Sequence, residues 1–359
     1  MKVLQHSLVF VFTFFMIQNP CFAQEVKDSI VSKKKLKVKD SVIQKKIVQK
    51  KRKLLKPTYL KVGDTIAIVA PAGILKNKKE IVKKAKELAE NWGLHVVYGK
   101  NMFNQENHFA GTDSERAADF QQALDNSSIK AIWAARGGYG SVRILDKLDF
   151  TKFLKLPKWI IGYSDITAIH SHIHSLGVET IHGMMASSLG DPLDEIEETI
   201  STLKKALFGE QLTYKIIPNE MNRIGLAKGE IIGGNLSILM STLGSKSQMN
   251  TKGKILFIEE IGEYKYSIDR MLQSLKRAGF FKKCKGLIIG DISNIKKNTT
   301  KWGKPIEQLI LDVVAEYDFP VLFDFPAGHE KDNRALIFGR IIELNVTKQG
   351  VSTVVFNNK

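Results

Sequence analysis

The sequence predicts an α/β protein, with a parallel-sheet domain over residues 57–210 and a smaller mixed α/β domain over residues 226–359. Three features carry that reading. Short apolar runs alternate with helical periodicity from residue 65 to 177, the pattern of a parallel sheet with helices on its faces. Gly-rich or Ser-bearing loops follow two of those runs, at the strand ends where open α/β sheets bind ligands. The last stretch, 335–356, alternates like two antiparallel strands, so the second domain is mixed.

The N-terminus reads as an export signal over residues 1–23. Lys2 supplies the positive start, Leu8 to Ile17 the apolar core, and Cys21-Phe22-Ala23 the small residues before cleavage at Gln24. The apolar run falls short of the roughly 20 residues a membrane span needs. Gln18-Asn19-Pro20 lacks the aliphatic and small residues that precede a lipid-anchored cysteine. The mature chain is therefore expected to be exported to the periplasm, with Cys284 as its one cysteine and no intramolecular disulfide.

Residues 24–56 have another composition altogether. Twelve Lys and one Arg face Glu25, Asp28 and Asp40, so this segment holds +10 of the chain's net +17. With like charges in runs and no aromatic residue to seed a core, it reads as a disordered tether. Coulomb attraction alone could bring it to an anionic membrane or wall. Nucleic-acid binding would want aromatic platforms between the basic residues, and the segment has none.

In the folded part, Thr65 to Ala70 is a buried-type strand ended by Pro71-Ala72-Gly73, and Glu80 to Trp92 an amphipathic helix closed by Gly93. Leu94 to Tyr98 is the next strand, and Thr112 or Asp113 caps a helix through Leu124. Ile129 to Ala134 is a strand running into Arg136-Gly137-Gly138-Tyr139-Gly140. The pattern loosens over 208–228, which reads as a linker. In the second half, strands are expected at 254–258 and 286–289, and helices at 269–278 and 306–317. Val321 to Phe323 leads to Pro326-Ala327-Gly328-His329.

The most informative stretch is Trp159-Ile160-Ile161-Gly162-Tyr163-Ser164-Asp165-Ile166, where an apolar run passes through Ser164 into a helical pattern. A serine at a strand-to-helix turn has its hydroxyl lifted clear of the backbone, and the next amide lies at the positive end of the helix. That suits a nucleophile, but Ser-Asp before a helix is also an ordinary N-cap, and the segment alone leaves both open. An activated serine needs a base and an orienting carboxylate. Glu259 follows the apolar run Ile255 to Ile258, and His329 follows a Pro-Ala-Gly turn. Alone, a loop histidine is an ordinary structural residue, and a strand-end glutamate commonly pairs with an arginine.

As a set, these residues resemble the LD-carboxypeptidase family of serine peptidases, which includes muramoyl-tetrapeptide carboxypeptidases and the microcin C self-immunity hydrolase. The resemblance covers most of 57–359. It rests on Gly63-Asp64-Thr65 with Ala70-Pro71-Ala72, Arg136 to Gly140, Gly162 to Asp165, His182-Gly183-Met184, Gly233 to Leu236, Ile258-Glu259-Glu260, Ile268 to Leu272 and Gly328-His329.

The resemblance implies Ser164 as nucleophile, His329 as general base and acid, and Glu259 as the carboxylate orienting it, with the active site at the interface of the two domains. It further implies an oxyanion hole from the amides of Asp165 and Gly138, a murein peptide substrate and a homodimer. Arg136, with Tyr139 beside it, is the candidate for the substrate's free carboxylate, since a guanidinium binds carboxylates bidentately. Arg136 could equally tie its loop to an acidic neighbour. No cofactor, metal or nucleic acid is implied. His170, His172 and His174 share one helix without an acidic residue to complete a metal site, and Asp269-Arg270 reads as a helix cap and ion pair. The chain departs from the family pattern with Glu260 where Asp is usual, with Gly244-Ser245 for Gly-Thr, and in its tether. Two other functions fit the same residues less well: an amide hydrolase acting on a peptide-nucleotide antibiotic, and a wall-binding protein without catalysis.

Overall fold

The computed structural model describes residues 54–357. The signal expected at 1–23 and the tether up to residue 53 lie outside those residues. The tether's last three positions do not continue it. Leu55 donates its N–H to Gly177 O and accepts from Glu179 N–H, so the chain is already fastened to the fold at that point.

Thirteen strands make up two sheets among the described residues. In chain order they are β1 (Thr65–Val69), β2 (His95–Tyr98), β3 (Ile129–Ala134), β4 (Trp159–Gly162), β5 (Thr180–His182), β6 (Thr213–Ile216) and β7 (Gly225–Asn235). There follow β8 (Ile255–Ile261), β9 (Gly286–Ser293), β10 (Val321–Leu322), β11 (Leu336–Phe338), β12 (Ile341–Val346) and β13 (Ser352–Phe356). The first sheet has the order β11-β5-β4-β3-β1-β2, parallel except at β11. The second, β10-β9-β8-β7-β12-β13-β6, is parallel through β7 and antiparallel beyond it. The α/β class and the mixed character of the second sheet follow the sequence expectation.

The differences are local. The loosened stretch 208–228 contains β6, whose alternating Tyr214 and Ile216 are buried at the sheet's far edge. The C-terminal alternation holds three strands, and the first of them, β11, crosses over to complete the first sheet. The helix expected at 306–317 ends at Val313. Asp269 is interior to the helix Lys265–Arg277, so it caps nothing, and Arg270 stacks over the Tyr266 ring.

Burial explains the first sheet. β4, and β3 apart from the exposed Lys130 near its start, are apolar and covered on both faces, as a parallel sheet between helices requires. Thr112 closes a capping box with Glu115 at the start of Asp113–Asp125. One core runs from Ile66 and Trp133 through Phe338 to Phe257 of the second sheet. Across it, Arg340 forms a bidentate pair with Glu179, both fully buried. The helix Thr167–Ser175 also bridges the sheets, because Thr167 Oγ1 accepts the Asn235 N–H at 3.0 Å. Asn235 in turn pairs with Glu259 in the β7–β8 ladder.

Candidate active site

The strand order of the first sheet reverses between β1 and β3, the place where α/β sheets open a crevice. Loops 71–73 and 136–140 follow those two strands, and Ser164 follows β4. Buried Arg116 clamps the first two loops together, donating from Nη1 to Pro71 O at 2.6 Å and to Gly140 O at 3.0 Å. Gly137 reaches closest to the serine: a Cβ there would lie 3.3 Å from Ser164 Cβ and 3.5 Å from Asp165 N. Only a residue without a side chain leaves that space open.

Ser164 sits at φ +61°, a left-handed conformation costly for a side-chain-bearing residue and typical of a nucleophile turn. A single 3₁₀ turn, Ser164–Ile166, precedes the helix, whose N-cap position is Ile166. The hydroxyl therefore does not cap the helix. It lies 3.0 Å from His329 Nε2, while His329 Nδ1 lies 2.7 Å from Glu259 Oε2. A carboxylate only accepts, so Nδ1 carries the proton, and Nε2 is left to accept the Ser164 O–H.

Glu259, rather than Glu260, meets the histidine. Glu260 is turned to Asn235 Nδ2 at 2.9 Å and to the N–H of Ser237 at 2.8 Å, fixing the start of the helix Leu236–Ser241. Glu259 is wholly buried. Burial pushes its carboxyl up, against the opposing hydrogen bond and charge of His329. For His329, burial works downward, but the hydrogen bond and charge of Glu259, with Glu260 and Asp291 adding to them, hold the imidazole above its ordinary value. The Tyr163 ring packs edge-on against the imidazole, with centroids 5.1 Å apart.

The other expected residues are placed differently. Asp165 is buried, and its carboxylate accepts the Ser141 N–H at 2.8 Å. Gly137 O accepts the Gly73 N–H at 3.0 Å, and since a trans peptide points C=O and N–H oppositely, the Gly138 N–H is directed away from Gly73. Among the described residues Arg136 pairs with no acidic side chain; its Nη1 donates to Ile74 O. Tyr139 stands 47% exposed at the loop tip, against Phe109. The three helix histidines go separate ways: His170 to Gly162 O, His172 to Ser247 Oγ and His174 to Lys254 Nζ. No group of three or more His, Cys, Asp or Glu able to hold a metal occurs among the described residues. Sequence reasoning missed Arg116, the Asp165 carboxylate and Tyr163 as parts of the site; the first two act through backbone contacts that leave no motif.

Both halves of the chain are similar to known proteins. Residues 66–183 match the model of the LD-carboxypeptidase N-terminal domain, and residues 228–344 that of the LD-carboxypeptidase C-terminal domain. The probable murein peptide carboxypeptidase of Bacillus subtilis is 36% identical over 299 residues, covering 82% of this chain and 92% of that protein. The crystal structure of muramoyltetrapeptide carboxypeptidase from Oxalobacter formigenes superposes with TM-score 0.74 at 28% identity, over 82% of this chain and 98% of the other. The microcin C7 self immunity protein superposes with TM-score 0.75 at 24% identity, over 85% of this chain and 99% of its own, a likeness of fold.

Proposed function

The chain belongs to the LD-carboxypeptidase family, and we propose that it hydrolyses the L,D amide bond releasing the terminal D-alanine of murein tetrapeptides, with Ser164, His329 and Glu259 as its catalytic triad. The observation that carries this reading is the continuous hydrogen-bonded line from Ser164 Oγ through the imidazole to the Glu259 carboxylate.

In the proposed reaction His329 Nε2 takes the Ser164 proton as Oγ attacks the carbonyl between the diamino acid and D-alanine. The tetrahedral oxyanion is held by the N–H groups of Asp165 and Gly138. The resulting imidazolium, kept in register by Glu259, protonates the leaving amine. Water then repeats the sequence on the acyl-enzyme and returns Ser164. Arg136 takes the free carboxylate of the D-alanine through the N–H groups not committed to Ile74, and the exposed Tyr139 flanks it.

Export to the periplasm and a homodimer complete the proposal. The first is supported by the leader pattern of residues 1–23, the second by the family resemblance. Light scattering on the purified protein measures the second directly.

The test is to incubate the protein with an L,D-linked tetrapeptide and follow free D-alanine by mass spectrometry, with Ser164→Ala as control. Release by wild type alone is the expected result. Release by Ser164→Ala at the wild-type rate would remove the serine from the chemistry, and no release by either would remove this substrate.

A further inference from the structure

The loop that delivers His329 to Ser164 is held on its far side by Thr199, which donates to Lys331 O at 2.9 Å and accepts the Asn333 N–H at 2.7 Å, and on its near side by strand β9. Phe325 N–H donates to Ile289 O at 3.0 Å, Asp291 N–H donates to Ala327 O at 3.0 Å, and Glu330 N–H donates to Asp291 Oδ2 at 3.1 Å. The imidazole is thus bracketed on both sides of its own residue, and two of the three bonds to β9 use Asp291.

A sheet irregularity makes this arrangement. Ile258 pairs with Ile289 but Glu260 pairs with Ile292, so Gly290 and Asp291 of β9 together stand opposite Glu259 of β8. Such a bulge re-aims the side chains around it. The loop backbone presses close here, since a Cβ on Gly290 would lie 2.2 Å from Ala327 O. One bulge therefore places both the triad carboxylate and the anchor of the triad histidine.

We propose that Asp291 is a positioning residue for His329: its carboxylate, by accepting the Glu330 N–H, holds the loop at the height where Nε2 meets Ser164. Asp291 touches neither reacting atom, and the proposal rests on reading His329 as the base. Burial, reinforced by the charges of Glu330 and Glu259, raises its carboxyl to about 6 against the pull of the Glu330 N–H and of His329. The anchor thus stands among the same charges as the triad.

The test compares Asp291→Ala with Asp291→Asn, whose amide oxygen can still accept the Glu330 N–H. Two readouts are used: kcat and KM on the tetrapeptide, and the rate at which a fluorophosphonate labels Ser164. Labelling needs no peptide substrate, so it still reads the serine–histidine alignment if the proposed substrate is wrong. Asp291→Ala is expected to lower kcat and the labelling rate together, on the order of 10- to 100-fold as for a small misplacement of a catalytic group, with KM within about twofold. Asp291→Asn is expected to stay within about threefold of wild type in both. Wild-type rates for Asp291→Ala, a change confined to KM, or an Asp291→Asn as slow as Asp291→Ala would each overturn the proposal. Should Asp291→Ala not fold, Asp291→Glu takes its place. It keeps the charge but moves the carboxylate by a methylene, and is expected to be slow where Asp291→Asn is not; equal rates for the two overturn the proposal as well.

Discussion

The Asp165 carboxylate accepts the backbone N–H of Ser141 at 2.8 Å, tying the residue after Ser164 to the far end of the glycine loop. The bond is buried, and burial raises the Asp165 carboxyl while the Ser141 hydrogen bonds oppose it. Two segments expected to supply oxyanion donors are thereby held in one register. Asp165→Ala is expected to cost roughly 1–3 kcal/mol of stability, the penalty for an unmet buried donor, and to lower kcat further than melting alone explains. Asp165→Asn, which keeps the acceptor, should lose less of both. Urea melts and initial rates on the same samples check this, and equal losses in the two variants would contradict it.

The pH profile carries a second prediction. A general base must be neutral, and the His329 imidazole is held above its ordinary value by Glu259 once burial has been overcome. The acid limb of kcat/KM should therefore fall at a pH above about 6.5, the unperturbed histidine value. Glu259→Gln removes the largest of the charges that raise it, leaving only Glu260 and Asp291 to oppose the downward effect of burial. The residual activity of that variant should show its acid limb at lower pH than wild type; a limb that stays in place or rises would separate Glu259 from the titration.

Gly137→Ala tests the space beside the nucleophile. The added methyl would meet Ser164 Cβ at 3.3 Å and Met185 Cε at 3.4 Å. Loss of kcat is expected, on the order of tenfold or more, because crowding at the reacting centre disturbs its alignment. Stability should change by about 1 kcal/mol or less, since the Met185 methyl that the added group meets ends a flexible side chain that can shift by a few tenths of an ångström. Unchanged turnover would mean that the substrate does not use this gap.

The Glu179–Arg340 pair answers a question of stability rather than chemistry. Both side chains are buried and bonded twice, so removing one partner strands a charge. Arg340→Met is expected to destabilise the protein by roughly 3–5 kcal/mol. Denaturant unfolding measures it, and a loss below about 1 kcal/mol would contradict the assignment of that cost to the stranded carboxylate.

Legibility in the sequence followed distance along the chain. The turn at Ser164 is a local signal, an apolar strand ending in Gly-Tyr-Ser-Asp within a few residues, and it could be read directly. Glu259 and His329 lie 70 residues apart, and the histidine meets a serine 165 residues away. No periodicity encodes that meeting, so their pairing was legible only through the family resemblance. Asp291 was invisible for a further reason, because a bulge is a property of two strands in register and neither strand shows it alone. Asp165 was singled out for its amide, while its buried carboxylate went unread. In β6 the alternation of Thr213-Tyr214-Lys215-Ile216 was present, but four residues inside a loose stretch did not stand out from it.

The antiparallel edge strand β11 has a consequence for how the molecule is made. Leu336–Phe338 pairs with Thr180–His182, closing the sheet that begins at Thr65. A ribosome must pass residue 338 before that sheet can be finished, so the serine's platform is completed near the end of synthesis. Until then β5 presents an open edge to the surrounding solution. A fragment ending near residue 210 would keep that edge for good, and supplying residues 226–359 as a second polypeptide is the natural way to seal it.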